Sequence, residues 1–216
     1  MIFLILMIAA AYFLGSVPFG FLIAKAHGQD LRKVGSGNIG ATNTGRILGK
    51  KWGIICMILD SLKGLIPMLI MKTQVSSPPQ ASELWGWLAV GCAAIFGHVF
   101  PVFLKFKGGK GVATSLGMVL GLYPYYTLAG VAALAVWIGF VLTTRYVSLA
   151  SIASAAVFPL TLTIAISIFN SWHFSNLWPL IVISVVMALL VIVRHAENIK
   201  RLLEGSEAKV LEKRKS

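Results

Sequence analysis

The sequence is poor in charged residues, in acidic residues and in cysteine. Only 12% of its 216 residues are charged, and Asp and Glu together number 7. A soluble domain carries about 25% charged residues, so this composition excludes a soluble globular protein. The two cysteines, Cys56 and Cys92, both lie in apolar stretches, which predicts buried thiols and no disulfide.

Several catalytic motifs are also missing. None of the four histidines has an aspartate five positions further on, and the chain has neither a Gly-x-Ser-x-Gly nor a Gly-x4-Gly-Lys-Ser/Thr sequence. These absences exclude the histidine-aspartate base of one common acyltransferase class, a serine hydrolase and a P-loop nucleotidase. The few histidines, cysteines and aspartates predict no metal site and no cofactor. The remaining means of catalysis are substrate binding and electrostatic stabilisation, because the sequence shows no evident nucleophile.

Apolar residues, in contrast, make up 57% of the chain. Crossing the hydrocarbon of a bilayer takes roughly twenty residues, and seven stretches come near that length. We therefore predict an all-α integral membrane protein, a single domain over residues 1–216 that forms a seven-transmembrane-helix bundle. The predicted spans are about 1–24, 52–71, 85–104, 112–124, 127–144, 147–169 and 177–193. Because 112–124 is short and rich in glycine, a six-span bundle with a re-entrant segment there stays open.

The net charge of +12 is explained by membrane topology, without a nucleic-acid partner. No Lys or Arg precedes the first apolar stretch, which argues against a cleaved signal peptide. With the N-terminus outside, every Lys and Arg except Lys63 and Lys72 falls in a cytoplasmic segment. The positive-inside rule therefore predicts an outer N-terminus and a cytoplasmic C-terminus. Residues 196–216 are predicted to form a helix on the inner membrane surface, in contact with lipid.

Residues 35–46 interrupt the apolar chain with four glycines, two asparagines, a serine, two threonines and Arg46. Glycines allow backbone N–H groups to converge, and an arginine adds a planar fork of positive charge. The segment therefore predicts a phosphate site. Residues 105–114 repeat the pattern with three lysines. We predict that the two loops meet on the cytoplasmic side of the membrane and hold phosphorylated substrates.

Polar residues within the predicted spans are few. Asp60 and Lys63 lie at i and i+3 on one helix face, and we predict a structural ion pair beneath the site. His98 is predicted to be a hydrogen-bonded packing residue rather than a base. Ser148 follows Arg145 at the start of a span, where its hydroxyl either caps the helix or contacts an anion together with Arg145.

In sequence order, these motifs resemble those of the bacterial membrane acyl-phosphate:glycerol-3-phosphate acyltransferases, the PlsY family. The long glycine-containing motifs are specific, and the matching segments cover nearly the whole chain. These segments are 15–20 (Gly-Ser-Val-Pro-Phe-Gly), 30–43, 60–64 (Asp-Ser-Leu-Lys-Gly), 97–101 (Gly-His-Val-Phe-Pro), 106–114, 145–151 and 194–202.

The resemblance implies transfer of a fatty acyl group from acyl phosphate to the first hydroxyl of glycerol 3-phosphate. The product would be lysophosphatidate, made at the bacterial cytoplasmic (inner) membrane for phospholipid synthesis. The implied catalytic residues are His195, Ser148 and Lys110. Contacts to substrate and phosphate are expected from the two loops, from the turn before 147–169 and from the last segment: Ser36, Gly37, Asn38, Thr42, Asn43, Arg46, Lys107, Gly108, Gly109, Lys110, Arg145, Ser148 and Asn198.

The chemistry of an acyl phosphate agrees with this set of residues. It is a mixed anhydride with a good leaving group, so the reaction needs no covalent acyl-enzyme. Arg46, Lys107 and Lys110 would screen the repulsion between two phosphates and align the reacting groups. A substrate phosphate oxygen, or His195, would take the proton. The alternative function is a transporter of phosphorylated anions. A transient contact with the enzyme that makes acyl phosphate is a further possible partner interaction.

Overall fold

The computed structural model describes residues 1–210 and divides them into two compact units. Every regular element in this described part is helical, mostly α-helix, with one 3₁₀ turn. This is what a bilayer requires, because a helix satisfies its backbone N–H and C=O groups within its own segment. The predicted all-α fold is confirmed.

The first unit, Met1–Tyr123, contains six α-helices and the 3₁₀ turn. The α-helices are α1 (Ile2–Ser16), α2 (Phe19–Ala26), α3 (Ala41–Leu48), α4 (Lys50–Lys72), α5 (Ala81–Val99) and α6 (Val112–Gly121), and the 3₁₀ turn is Val102–Leu104. The predicted span 1–24 is therefore two helices rather than one. Pro18 lies between them, and proline can neither donate a backbone hydrogen bond nor continue the preceding helix.

Glycines allow the helices of the first unit to approach closely. α4 packs against α6, and a Cβ at Gly117 would lie 1.9 Å from the carbonyl oxygen of Ser61. A Cβ at Gly64 would lie 2.2 Å from the carbonyl oxygen of Thr114. Each helix therefore presents a glycine to the backbone of the other, as small residues do in membrane helix pairs.

The second unit, Pro124–Ser216, contains four helices within its described residues. They are α7 (Thr127–Thr144), α8 (Val147–Ile168), α9 (Phe174–Arg194) and α10 (Ala196–Leu203). Hydroxyls connect these helices: the buried Tyr126 hydroxyl donates to the Leu180 carbonyl over 2.8 Å, and the half-buried Ser154 hydroxyl donates to the Ala133 carbonyl over 2.9 Å. Such bonds between helices replace contacts with water that the bilayer does not offer.

Six helical segments of the described chain are long and apolar enough to cross a membrane. They are Ile2–Ala26, Lys50–Lys72, Ala81–Leu104, Thr127–Thr144, Val147–Ile168 and Phe174–Arg194. The predicted span 112–124 corresponds to α6, whose ten residues extend about 15 Å along a helix axis. By helix length and composition, the described chain therefore has six candidate spans rather than the predicted seven.

The predicted surface helix 196–216 is much shorter in the structure. α10 ends at Leu203, and Gly205 then takes a left-handed φ of +70°. This turn lets the backbone N–H groups of Ser206 and Glu207 donate to the Arg201 carbonyl, over 2.8 and 3.1 Å. The chain thus folds back on α10 because glycine permits a conformation that ends the helix. Residues 211–216 lie outside the described residues.

Candidate active site

The first glycine loop, residues 27–40, connects α2 to α3, and hydrogen bonds with the Asn43 side chain hold its backbone. Gly35 and Gly37 have left-handed φ values of +63° and +71°. The Asn43 Oδ1 atom accepts a hydrogen bond from the Ser36 N–H over 3.0 Å. A Cβ at Gly35 would lie 2.2 Å from the same oxygen, so both the backbone angle and the close approach require glycine there.

The Asn43 amide also donates to the loop. Its Nδ2 atom lies 3.3 Å from the Leu31 carbonyl, 3.1 Å from the Val34 carbonyl and 2.9 Å from the Asn38 carbonyl. The residue is 1% exposed, and both ends of its amide contact backbone groups of the loop. These contacts support a role in shaping the loop; the predicted phosphate contact of Asn43 stays a prediction.

Replacing Asn43 with aspartate is expected to destabilise the protein by about 2–4 kcal/mol. The change replaces the NH₂ group that donates to three backbone carbonyls with a buried oxygen that can only accept. Asn43→Ala should cost a similar amount, since it removes all of the loop's bonds to this side chain. Thermal unfolding in detergent measures the loss. Asn170→Ala, at an exposed asparagine, is the control and should have no effect; an Asn43→Asp variant as stable as the wild type would contradict the assignment.

The other predicted site residues of the first loop and of α3 are exposed or half-buried. Ser36 and Gly37 are exposed, and the Asn38 Oδ1 atom accepts from the Gly40 N–H over 2.9 Å. Thr42 and Arg46 are also exposed, and they lie one turn apart on α3. This face presents a hydroxyl and a guanidinium, which suit an oxyanion.

The segment that enters this loop is fixed by an ion pair. The Arg32 guanidinium donates to the two carboxylate oxygens of Asp30 over 2.9 and 2.8 Å. This bond lowers the pKa of Asp30 to about 2. The Arg32 guanidinium also lies over the Phe21 ring, 4.7 Å from its centroid, and so holds the loop against α2.

The second glycine loop, residues 105–111, is tied to the end of α5. The backbone N–H of Gly108 donates to the Val99 carbonyl over 3.2 Å, and that of Gly109 to the His98 carbonyl over 3.0 Å. These carbonyls belong to the last turn of a helix, which has no intrahelical donors for them. The two N–H groups expected to face a phosphate are thus used to cap α5.

Positive charge in the second loop comes from three lysines. Lys105 and Lys107 are exposed, and Lys110 is half-buried. Lys105 and Phe106 have positive φ values of 52° and 62°, an uncommon conformation for such residues. α6 begins directly after the loop, and the N-terminus of a helix favours an anion. The arrangement places cations beside a helix N-terminus.

Asp60, Lys63 and His98 form a buried cluster beneath the second loop. The Lys63 Nζ atom lies 2.9 Å from Asp60 Oδ1 and 2.9 Å from the Val17 carbonyl oxygen. The Nδ1 atom of His98 lies 3.7 Å from the same Asp60 oxygen. The structure thus places the predicted pair in contact and adds a histidine and the break between α1 and α2 to it.

In the second unit, the contacts gather on Glu207, which sequence reasoning missed. Its Oε1 atom accepts from the Ser148 hydroxyl over 2.7 Å and from the Asn198 amide over 2.6 Å, and its Oε2 atom accepts from Arg201 Nε over 2.8 Å. Ser148 and Asn198, both predicted to contact substrate, are therefore joined by one carboxylate. The only sequence signal for it was an acidic residue within a basic tail.

These three donors determine the acid–base behaviour of Glu207. Partial burial raises the pKa of this carboxyl, but the hydrogen bonds from Ser148, Arg201 and Asn198 outweigh burial and lower it below its usual value. A carboxylate that accepts several hydrogen bonds is stabilised in its charged form. Glu207 is therefore ionised at neutral pH and holds the segment after α10 against α8 and α10.

The lowered pKa of Glu207 predicts how the stability of the protein depends on pH. Its contribution is complete above the unfolded-state value, about 4.3, and is lost as the pH falls through the lower folded-state value. The thermal midpoint in detergent should therefore fall below about pH 4.3. Glu207→Gln, which cannot ionise, should reduce that fall; an identical pH profile in this variant would contradict the prediction.

His195 stands at the start of α10, and Arg145 contacts the segment after α10. The Nδ1 atom of His195 lies 2.7 Å from the Val191 carbonyl, and since a carbonyl only accepts, Nδ1 carries a proton; in the neutral ring Nε2 then holds the lone pair. Arg145 is exposed and has a left-handed φ of +64°. Its carbonyl accepts from the Val210 N–H over 2.9 Å.

Taken together, the fold and the site define a class of protein. It is an all-helical, multi-pass membrane protein whose loops present cations, hydroxyls and helix N-termini, a chemistry that suits anionic ligands. Within residues 1–210, no three His, Cys, Asp or Glu side chains are close enough to hold a metal ion.

Comparison with known proteins identifies the family within this class. The family model for glycerol-3-phosphate acyltransferase matches residues 5–205. Among curated relatives of that name, the protein of Geotalea daltonii is 48% identical over 203 residues, which cover 94% of this chain and 95% of the relative. That of Aquifex aeolicus is 45% identical over 197 residues, covering 91% and 94%. The chain belongs to the glycerol-3-phosphate acyltransferase family.

Two crystal structures support the same conclusion. Both are of PlsY, an integral membrane glycerol 3-phosphate acyltransferase. The glycerol 3-phosphate form is 42% identical to this chain, with a TM-score of 0.81 and coverage of 95% of this chain and 94% of that one. The lysophosphatidic acid form is 41% identical, with a TM-score of 0.79 and the same coverage. The resemblance drawn from the sequence motifs is confirmed.

Proposed function

We propose that this protein transfers a fatty acyl group from acyl phosphate to the first hydroxyl of glycerol 3-phosphate, giving lysophosphatidate. The observation that carries the proposal is the similarity, over 95% of the chain, to an acyltransferase crystallised in a glycerol 3-phosphate form and in a lysophosphatidic acid form. The acyl acceptor and the product of the proposed reaction are thus both associated with the fold of that acyltransferase. The family assignment supports an enzyme over the transporter alternative.

The chemistry of the loops supports direct transfer between two bound substrates. An acyl phosphate already carries a good leaving group, so its carbonyl can react with a hydroxyl without first acylating the enzyme. Two phosphates repel each other, and cations that hold both would lower this cost and align the groups. Arg46 of α3 and Lys107 of the second loop are exposed, and Lys110 of the second loop is half-buried.

The N–H groups of Gly108 and Gly109 cap α5, so phosphate binding by the second loop depends on the side chains of Lys107 and Lys110 and on the start of α6. In the first loop and α3, we propose contacts from the exposed residues Ser36, Thr42 and Arg46. Ser148, His195 and Asn198 are proposed to contact the substrates on the basis of the resemblance.

The proton of the acceptor hydroxyl is proposed to go to a substrate phosphate oxygen, with Nε2 of His195 as the alternative. The bond from Nδ1 to the Val191 carbonyl leaves Nε2 as the basic nitrogen. His195→Gln distinguishes the two, because loss of a general base lowers kcat by about 10²–10⁴-fold. Normal turnover in His195→Gln would exclude His195.

The site is proposed to lie on the cytoplasmic side of the bacterial inner membrane, with the N-terminus outside and the C-terminus inside. This orientation keeps nearly all basic residues in the cytoplasm and requires an odd number of crossings, so α6 would be the seventh. Impermeant maleimide should then label Ser36→Cys and Lys107→Cys only from the cytoplasmic side, and Ser77→Cys only from the outside. Labelling of the two loop variants from opposite sides would contradict the topology.

The proposed activity is tested with purified protein, palmitoyl phosphate and labelled glycerol 3-phosphate, without coenzyme A or carrier protein. Labelled lysophosphatidate should form in proportion to the amount of protein. Formation of the product only with an acyl thioester donor would contradict the proposed donor. In sealed vesicles, uptake of label without donor and without product would instead favour the transporter.

A further inference from the structure

The second glycine loop lies directly on the imidazole of His98. A Cβ at Gly109 would lie 2.1 Å from the Nε2 atom of His98, 2.8 Å from Cε1 and 3.0 Å from Cδ2. All three of these nearest atoms belong to one ring. Contact with this ring therefore explains why position 109 is a glycine. The position of the ring also limits how closely the loop backbone can approach α5.

The ring is itself held in a buried, charged environment. His98 is 5% exposed and Asp60 is 2% exposed, and His98 Nδ1 lies 3.7 Å from Asp60 Oδ1. The carboxylate cannot move freely, because Lys63 Nζ lies 2.9 Å from the same oxygen. A buried carboxylate without its cation would be costly, so Lys63 holds Asp60 in place beside the imidazole.

The same lysine connects this cluster to the break in the first predicted span. Its Nζ atom donates to the Val17 carbonyl over 2.9 Å and lies 5.6 Å from the centroid of the Phe19 ring. α1 ends at Ser16, and Pro18 offers no N–H, so carbonyls at this break need another donor. The cluster therefore joins α1, α2, α4 and α5 beneath the loop.

We infer that His98, fixed by Asp60 and Lys63, is a positioning residue that sets the Gly108–Gly109 backbone and thereby the lysines on either side of it. The inference extends the proposed function, because those lysines are the proposed phosphate contacts. His98 touches the loop rather than the substrate. Its loss should therefore weaken glycerol 3-phosphate binding more than it slows the chemical step.

The first test places a methyl group between the loop and the ring. Gly109→Ala should raise the KM for glycerol 3-phosphate about tenfold, or ~1.4 kcal/mol, and change kcat less than about threefold. In a His98→Ala background the ring atoms are gone, so the same Gly109→Ala change should raise KM less than about twofold. An equal rise in both backgrounds would overturn the inference.

The second test separates positioning from general stability. Asp60→Asn/Lys63→Met removes both members of the ion pair together, so neither is left buried without the other, yet it releases the imidazole; KM should rise about tenfold (~1.4 kcal/mol). The control is Leu88→Ala, at a fully buried residue of α5 about 15 Å along the helix from His98. It should lower the thermal midpoint without changing KM.

The wild-type protein is measured first. If it shows no saturable dependence on glycerol 3-phosphate, both the proposed function and this inference fail. If the wild type saturates and the double variant keeps its KM, the positioning role alone fails.

Discussion

Replacing Arg46 with alanine is expected to lower kcat/KM by about two to three orders of magnitude, the effect of removing one strong donor to a developing oxyanion. Arg46 lies exposed on α3, one turn from Thr42, whereas Asn43 and Thr44 of the same helix are buried. The variant should therefore fold normally and lose only its charge and its fork of donors. Initial rates over a range of both substrates measure the loss.

Two control variants make the Arg46 result specific. Arg46→Lys keeps the positive charge but loses the planar fork, so it should recover part of the activity and not all of it. Lys50→Ala removes an equal charge from an exposed position at the start of α4 and should leave the rate nearly unchanged. Wild-type activity in Arg46→Ala would contradict the proposal that Arg46 binds a substrate phosphate.

Replacing Glu207 with alanine is expected to destabilise the protein by about 3 kcal/mol, since hydrogen bonds to a charged group contribute roughly 1.5–3 kcal/mol. Ser148, Asn198 and Arg201 would lose their common acceptor. The segment after α10 would then detach from α8, and activity should fall at least tenfold because two predicted substrate contacts lose their positions. Thermal unfolding in detergent and initial rates measure both effects.

The matched control for Glu207 is its neighbour Glu204. Glu204 is exposed, and its carboxylate lies 3.9 Å from Lys200 Nζ, a surface pair of the kind that contributes little to stability. Glu204→Ala makes the same change in charge and should have no measurable effect. Glu207→Gln should be intermediate, because its amide oxygen still accepts but carries no charge. Equal behaviour of Glu207→Ala and Glu204→Ala would contradict the assigned network.

The helices and the family could be predicted from the sequence, because both follow from local patterns. Apolar stretches of about twenty residues indicate membrane helices whatever their neighbours are. The predicted range 127–144 coincides with α7. The break at Pro18 and the early end of α10 were missed: the apolar pattern continues through the proline, and the alternating charges and leucines continue through Gly205.

The roles of individual polar residues depended on contacts that a single sequence does not reveal. Asn43 stands in a motif rich in phosphate-binding residue types, yet its amide bonds with the loop's own backbone. Glu207 lies 59 positions from Ser148, and no periodicity connects two residues so far apart. His98 was predicted to be a packing residue, but that it supports Gly109 emerges only from the distance between them.

The most direct test concerns whether the two substrates react with each other or through the enzyme. Purified protein is incubated with palmitoyl phosphate and radiolabelled inorganic phosphate, and glycerol 3-phosphate is left out. Direct transfer predicts that no label enters palmitoyl phosphate and that the protein stays unacylated until the acceptor is added. Rapid exchange of label into palmitoyl phosphate, together with an acylated protein, would show a covalent intermediate and contradict the mechanism.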